Sequence, residues 1–459
     1  MSKVLKITLI VIFLFMNLLS IGQEKFSFLE VDKLTYQNYL EKKWDSIIET
    51  GNKAISQNID YYYLRIRLGI AYYETQQYEK AIVNFEKSLE FNSNDALANE
   101  YIWYSYLFLG QYEEAQLFAD GFSQELKNKL KISKSGFIKN IAFDSGYAFN
   151  SDFEDLKNSI IDNVDAIAYE KKIFKSQFHN SLLLNFNLSK RISLTTAYTN
   201  LNVNSYHWTK LSDTEIHDGI FNTRQHQLYA KLNLYNRKKS NLYVAFNYSP
   251  AVANEQVLIF DDSSLPPTVS VETRDTKMNS FAFVLGNRKT KRLISRNLFL
   301  SYSSINFFKQ LQIGYSLLAY ANSRKNTYFS TQVVLWNEPN PEKRQGKGGG
   351  IKPISRFMFE PSFGFKISSV WINGFATIGD VKNYVEADGL IINNNSDLIS
   401  FRTGISLYVP ITTKISFLAK TLMSVGESEY IFTKTPASMS ETPFSYTFYY
   451  GIGSIQYKF

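Results

Sequence analysis

Residues 448–459 read FYYGIGSIQYKF. Tyr449, Ile455, Tyr457 and Phe459 share one parity, broken only by Gly451 and Gly453. A period of two is that of a strand with two different faces. Terminal residues normally fray. An aromatic last residue in phase with the strand before it therefore predicts a terminal strand whose apolar face meets a core or lipid. Ile452 has the opposite parity to Ile455, so a bulge is expected at Gly453-Ser454.

The same alternation runs through the second two-thirds of the chain. Leu182, Leu184, Phe186 and Leu188 share a face opposite Asn185 and Asn187. Leu228, Ala230, Leu232 and Leu234 alternate with Tyr229, Lys231 and Asn233. Phe357, Phe359, Phe363 and Phe365 line one side of FMFEPSFGFKI, which a soluble sandwich explains poorly. About 14 strands are predicted, near 137–149, 178–188, 192–204, 224–235, 241–249, 278–287, 297–304, 309–321, 326–336, 355–367, 369–378, 397–409, 414–425 and 445–459.

Short connections are expected near 189–191, 236–240, 288–296, 322–325, 368 and 410–413. Long polar ones are expected near 150–177, 205–223, 250–277, 337–354, 379–396 and 426–444, and the link at 305–308 is short where a long one is due. Tight turns at one end and long loops at the other are the asymmetry of an outer-membrane barrel. Closure is required because hydrocarbon cannot satisfy an open sheet edge. An even strand number puts both barrel ends on one side, and the segment before the first strand with them. The ending QYKF resembles the C-terminal signal that barrel-assembly machinery reads, with Tyr457 and Phe459 as its aromatic positions.

The first third has a different period. GIAYYETQQYEKAIVNFEKSLEFNSND carries Leu68-Gly69, Tyr72, Tyr78, Ala81 and Phe85. A shift of 34 residues gives Tyr106, Gly110, Tyr112 and Ala115, and a shift back places Trp44 where Tyr78 and Tyr112 stand. This resembles the tetratricopeptide (TPR) repeat over roughly residues 28–129. Ile47 and Gly51 replace the usual Ala and Phe of the first unit, and Ile102-Trp103 replaces a Leu-Gly pair. The resemblance implies an α-solenoid of about three units whose concave face binds a peptide or partner domain. Tyr63, Ile66, Ile70, Tyr73, Glu74, Glu100, Tyr104, Leu107 and Phe108 are the groove candidates in this register. Packing on a neighbouring helix or on the second domain is the alternative for several of them.

The chain of 459 residues has 50 Lys+Arg against 42 Asp+Glu, with 36 Phe and 31 Tyr. Absence of cysteine excludes disulfides, thiol nucleophiles, zinc-thiolate sites and a lipoprotein anchor. Lys3 and Lys6 precede the apolar run Ile7–Leu19, followed by Ser20 and Gly22, so residues 1–22 are expected to be a secretory signal peptide. That segment holds two lysines and no acid, so removing it lowers the formal charge from +8 to +6. Such a mild excess gives no reason to expect nucleic acid.

The expected organisation is α + β and multidomain: residues 23–135 a periplasmic tetratricopeptide domain, residues 136–459 an antiparallel transmembrane β-barrel. Parity places Lys231, Lys366, Arg402, Lys420, Asp144 and Glu360 inside the barrel. Four cations against two acids favour an anionic solute or polymer; lumen salt bridges in a plugged barrel are the alternative. His207, Asp213, Glu215, His217 and Asp218 share one outer loop, but their spacing fits no metal motif, and a solvated loop is expected. RQGKGGGIKP lacks the phosphate-loop spacing. His179 and His226 lie near outer strand ends without an identifiable partner, so neither catalysis nor a cofactor is expected.

In architecture the chain resembles the export proteins for cellulose and poly-N-acetylglucosamine, which carry many more repeats, and bacterial proteins of the YaiO type. The resemblance implies an outer-membrane pore or export component in contact with lipid, whose repeats recruit a periplasmic protein, peptide or substrate such as a polysaccharide. An outer-membrane anchor for an envelope complex, with a plugged barrel, is the other expectation.

Overall fold

The computed structural model describes residues 25–132, 136–159, 168–212, 215–236, 240–261, 268–291, 293–306, 308–338, 354–394, 397–428, 431–434, 439–441 and 444–459. Residues 1–22, Asp213 and the RQGKGGGIKP segment fall outside them. The chain divides into two compact units, Met1–Ile132 and Ser133–Phe459.

The first unit is helical. Its helices are α1 (Phe28–Leu40), α2 (Trp44–Ser56), α3 (Tyr62–Glu74), α4 (Tyr78–Phe91), α5 (Ala96–Phe108), α6 (Tyr112–Phe118) and α7 (Gln124–Lys129). Helices α1, α3 and α5 start 34 residues apart, as do α2, α4 and α6. The inter-helix turns repeat too: Lys42, Gln76 and Gly110 all have positive φ. A Ser27–Glu30 capping box starts α1, and Asp95 caps α5. Ile47, Ala81 and Ala115 are fully buried at one repeat position. A Cβ on Gly51 would lie 2.7 Å from Leu68, so the glycine of the first unit makes room for the leucine of the second.

The second unit is a closed antiparallel barrel. Its strands are β1 (Ile138–Asn150), β2 (Ala168–Ser189), β3 (Ile192–Ser212), β4 (Glu215–Asn236), β5 (Ser240–Asp261), β6 (Thr268–Lys291), β7 (Ile294–Ile305), β8 (Phe308–Tyr320), β9 (Thr327–Glu338), β10 (Ile354–Ile367) and β11 (Val370–Val381). After the inserted strands β12 (Tyr384–Glu386) and β13 (Ile391–Asn393) come β14 (Leu398–Pro410) and β15 (Ile415–Ser428). Two short strands, β16 (Ile431–Lys434) and β17 (Met439–Glu441), extend the edge of β2, and β18 (Phe444–Lys458) ends the sheet. β1 pairs with both β2 and β18, which closes a ring of fourteen strands.

Every strand anticipated from alternation is present, but three features differ. β18 pairs without interruption with β1 and β15, so there is no bulge at Gly453-Ser454. Ile452 simply faces inward opposite Lys420, while Ile455 points outward. β2 to β6 are 21–24 residues long, about twice what a bilayer requires. Most of 205–223 and 250–277, read as loop, is therefore strand. Beyond the apolar belt polar and apolar residues mix, with Asn202 and Asn204 beside buried Tyr206 and Trp208 and exposed Ile216 and Ile220, and the alternating signal is lost although the ladder continues. Finally, 379–396 is no outer loop: it holds the β12–β13 hairpin, which folds inside the ring.

Leu228, Phe246, Phe283, Leu300, Ile313 and Phe363 point outward and are exposed. A continuous apolar outer belt of this kind is covered by lipid in a membrane barrel. The inner wall is buried and mixed: Asn247, Ser301, Gln312 and Ser424 are inaccessible to solvent, and so, nearly, are the apolar Val284, Val334, Trp336 and Met358.

Candidate functional site: the filled lumen

The hairpin enters between β11 and β14 at the long-loop end. Its turn, Ala387–Gly389, reaches Lys231 and Tyr243, which lie near the short-turn ends of β4 and β5. It thus runs most of the depth of the wall. Ala387, Asp388 and Gly389 all have positive φ, and a Cβ on Gly389 would stand 2.9 Å from Val284. The turn thus needs glycine for its dihedral and for its approach to the wall.

Two carboxylates on the hairpin meet cations from the wall. Asp388 Oδ2 lies 2.7 Å from Lys231 Nζ and 3.1 Å from Arg288 Nη2. Tyr243 donates to Asp388 Oδ1 at 2.7 Å, and Asn297 donates at 3.3 Å. Glu386 is 3.0 Å from Arg402, whose guanidinium also reaches Glu360 at 3.1 Å. Thr377 donates to Glu360, and Lys420 lies over the Phe375 ring at 4.7 Å.

A two-stranded hairpin leaves backbone groups without sheet partners. Amide side chains of the wall supply them. Val385 N–H donates to Gln312 Oε1 at 2.9 Å, and Asn247 Nδ2 donates to the carbonyls of Gly389 at 2.8 Å and Leu390 at 3.0 Å. Gln310 donates to the Asn383 carbonyl. Asn306, in the unexpectedly short β7–β8 link, donates to Asn394 O at 2.8 Å and to Asn383 Oδ1 at 3.1 Å, gripping both legs at the base. Apolar contacts complete the fit: Tyr384 is fully buried beside Trp336, and Val385 and Ile392 belong to the same lumen core.

All six lumen candidates lie on the inward face, in different settings. Lys231 faces Asp388, and Arg402 faces Glu360 and Glu386. Lys420 is next to that second cluster. Asp144 stands opposite Ser181 and Ser454. Lys366 is exposed at the short-turn end, paired in register with Trp371. The hairpin adds two acids to the lumen and Arg288 joins the wall cations, so the four-to-two excess that favoured an anionic solute falls to five against four. Asp388, Glu386 and Tyr384 were missed by sequence reasoning. YVEADGLIIN does carry a hairpin signal, three strand-forming residues on each side of Ala-Asp-Gly.

His179 and His226 lie on opposite faces of the wall. His179 faces inward against Tyr450; His226 faces outward, 2.8 Å from the Tyr198 hydroxyl. In the anticipated loop cluster, His207 stacks on Phe221, Asp218 accepts from Tyr206, and His217 approaches Glu215 at 3.3 Å. These side chains have different partners, and no group of three metal-ligating residues occurs among the described residues.

In the helical unit the groove candidates separate by burial. Tyr63 and Phe108 are 61% and 59% exposed, and Glu74 is also exposed. Ile66, Tyr73, Tyr104 and Leu107 pack partly against the core. Glu100 pairs with Lys129 at 2.5 Å. Ile70 is only 5% exposed, so the core claims it and no ligand can reach it. Arg67, on the same helix, was overlooked; it bonds Asp32 at 2.6 Å and lies over the rings of Tyr36 and Tyr63.

No protein-family model and no curated protein matches the chain. Among solved structures, a Pseudomonas aeruginosa FadL homologue aligns over 70% of this chain and 90% of its own, with 8% identity and a TM-score of 0.43. The P. putida toluene transporter TodX aligns over 72% and 92%, with 6% identity and a TM-score of 0.44. A mutant form of MamA aligns over 25% of this chain and 77% of its own, with 22% identity and a TM-score of 0.20. The architecture described above rests on this chain's own strand register.

Proposed function

We propose that the chain is an outer-membrane channel held closed by its own β12–β13 hairpin. The observation that carries this reading is the filling itself. A ring of fourteen strands with an apolar exterior encloses a hairpin fixed by two ionic clusters and by wall amides. The ion pairs and hydrogen bonds can be exchanged for water when the hairpin moves, and withdrawal has in addition to break the apolar contacts of Tyr384, Val385 and Ile392 with the wall. The polar inward residues that hold the hairpin, Asn247, Gln310 and Gln312 among them, would face a hydrated path once the hairpin withdraws.

The 34-residue period and its repeated turns support the tetratricopeptide reading of the helical unit. The even strand number supports a periplasmic position for that unit. There it recruits a protein, peptide or substrate for the barrel, through the face that carries Tyr63 and Phe108. A second reading is an anchor or scaffold whose hairpin never leaves, favoured by the complete burial of Tyr384. Proteoliposomes loaded with a polar dye separate the two. With residues 384–393 replaced by two glycines, the channel reading expects dye release that the wild type does not show. A folded, hairpin-less barrel that retains the dye would support the anchor.

A further inference from the structure

The outer face of β2 to β5 carries a dent in the apolar belt. One cross-strand row reads Leu184, Thr196, Ala230, Phe246, two short side chains between two long ones. The next outward row toward the long-loop end is long throughout: Leu182, Tyr198, Leu228 and Tyr248. Together they line a hollow of about 490 Å³, within the range of roughly 300–1,000 Å³ typical of ligand clefts. Its rim lies on the outside of the wall, since Leu182, Tyr198, Leu228, Phe246 and Tyr248 are all exposed.

Polar groups begin immediately beyond the dent. The Tyr198 hydroxyl lies 2.8 Å from His226 Nδ1, and Tyr248 donates to Asn279 Oδ1 at 3.0 Å. Asn200 pairs with His226 across the strands and accepts from Asn202 at 2.9 Å. Tyrosines whose bodies lie on apolar surface and whose hydroxyls meet a polar row mark the edge of the hydrocarbon. The following outward row holds Asn202 and Arg224, then Val252 and Lys277 on the next two strands. Arg224 and Lys277 are exposed, and among the described residues no carboxylate pairs with either. Asp275, the next outward position on the strand of Lys277, is held by Asn254 at 2.8 Å. Two strand spacings, about 10 Å, separate the backbones of the two cations, so both long side chains can converge on one headgroup. From Ala230 to Arg224 the strand rises about 20 Å, slightly more than half of the roughly 30 Å hydrocarbon core. The dent and the cations therefore lie one leaflet apart in depth.

From this geometry we infer that the outer face of β2 to β6 holds a site for a phosphate-bearing anionic lipid of the leaflet at the long-loop end, with an acyl chain in the dent and the phosphate between Arg224 and Lys277. The inference rests on the outer-membrane reading of the barrel and not on the hairpin or on channel activity. Within the belt only hydrocarbon reaches the dent, and a chain seated in a hollow gains dispersion contacts that a smooth wall does not offer. Phosphate oxygens match the fork of an arginine and the point charge of a lysine together. A zwitterionic headgroup brings its own cation against both. A carboxylate has fewer oxygens and less charge to share between them.

The test titrates phosphatidic acid, phosphatidylcholine with the same chains, and oleate into the full chain in detergent, and counts bound lipid by native mass spectrometry. Unboiled-gel migration shows that each barrel is closed. The wild type should retain phosphatidic acid saturably, at least about tenfold more tightly than either other lipid. Arg224→Gln combined with Lys277→Gln should weaken that retention about tenfold, and Ala230→Phe, which fills the dent, should weaken it several-fold. Lys309→Gln removes an exposed cation from the outer face of β8, away from this row, and should leave retention unchanged. Phosphatidylcholine or oleate bound as tightly as phosphatidic acid overturns the inference. So does retention unchanged by the Arg224 and Lys277 substitutions, or weakened equally by Lys309→Gln, which would be general attraction to the basic surface. Full retention in a closed Ala230→Phe barrel overturns the placement of the chain in the dent. A chain absent from the membrane fraction would instead overturn the outer-membrane reading itself.

Discussion

Replacing Asp388 by alanine should free the hairpin, and the contacts give the size of the effect. Asp388 is the common partner of Lys231, Arg288, Tyr243 and Asn297. Removing one side of a buried pair leaves the other charge uncompensated, at roughly 3–5 kcal/mol. Arg288 keeps 45% of its side chain exposed, so water screens it and the lower end, about 3 kcal/mol, applies. At about 1.4 kcal/mol per tenfold change, the withdrawn population should rise by roughly a hundredfold. The chain has no cysteine, so one reporter can be introduced cleanly. Val385 is buried against the wall at 2% exposure, and Val385→Cys should react with a maleimide only when the hairpin withdraws. Labelling in the Asp388→Ala background should then be about a hundred times faster than with Asp388 in place. Equal rates, in barrels that still migrate as folded, would refute the latch.

Other consequences follow from the same contacts. Leu300→Arg places a charge on the outer belt and should cost about 2–4 kcal/mol in lipid, read as a shift in urea midpoint for folding into vesicles; no shift would mean that Leu300 does not face lipid. Gly364→Ala should displace the Tyr328 ring and cost about 1–3 kcal/mol in the same assay, with Tyr328→Ala in addition removing most of that penalty. In the helical unit, burial alone would raise the Asp32 carboxyl, but hydrogen bonds from Arg67 and Tyr61 outweigh it and hold the group below its usual 3.8. A depressed carboxyl stabilises the fold above that value and loses its contribution as pH falls below it. Asp32→Asn should therefore lower the helical melting temperature of the full chain at pH 7 and flatten its further decline in acid. A parallel decline in both proteins would remove Asp32 from that transition.

The barrel was legible because its residues obey a period of two wherever the exposed apolar belt lies on one side of the wall. Where β3 to β6 continue beyond the belt, residues such as Asn202, Asn204, Lys277 and Asn279 replace the apolar phase, and the pattern stops before the ladder does. Parity could put Lys231 and Arg402 on the inner wall. It could not supply Asp388 or Glu386, because inward folding of 382–394 depends on amides at Gln310, Gln312 and Asn247 far away in sequence. The helical repeat was legible for a similar reason: Trp44, Tyr78 and Tyr112 each open the second helix of a pair. Ile70 was misread because one helix face can serve either groove or core, and packing with the neighbouring helices decides which.

Single-channel conductance in planar bilayers tests the closed-channel claim most directly. The full chain and a variant with residues 384–393 replaced by two glycines are compared, each first shown to be a folded barrel. The wild type should stay closed, with at most rare openings, and the hairpin-less barrel should carry a steady ohmic current. Equal steady currents through both would show that the hairpin does not close the lumen. No current through either would show that the barrel is not a channel.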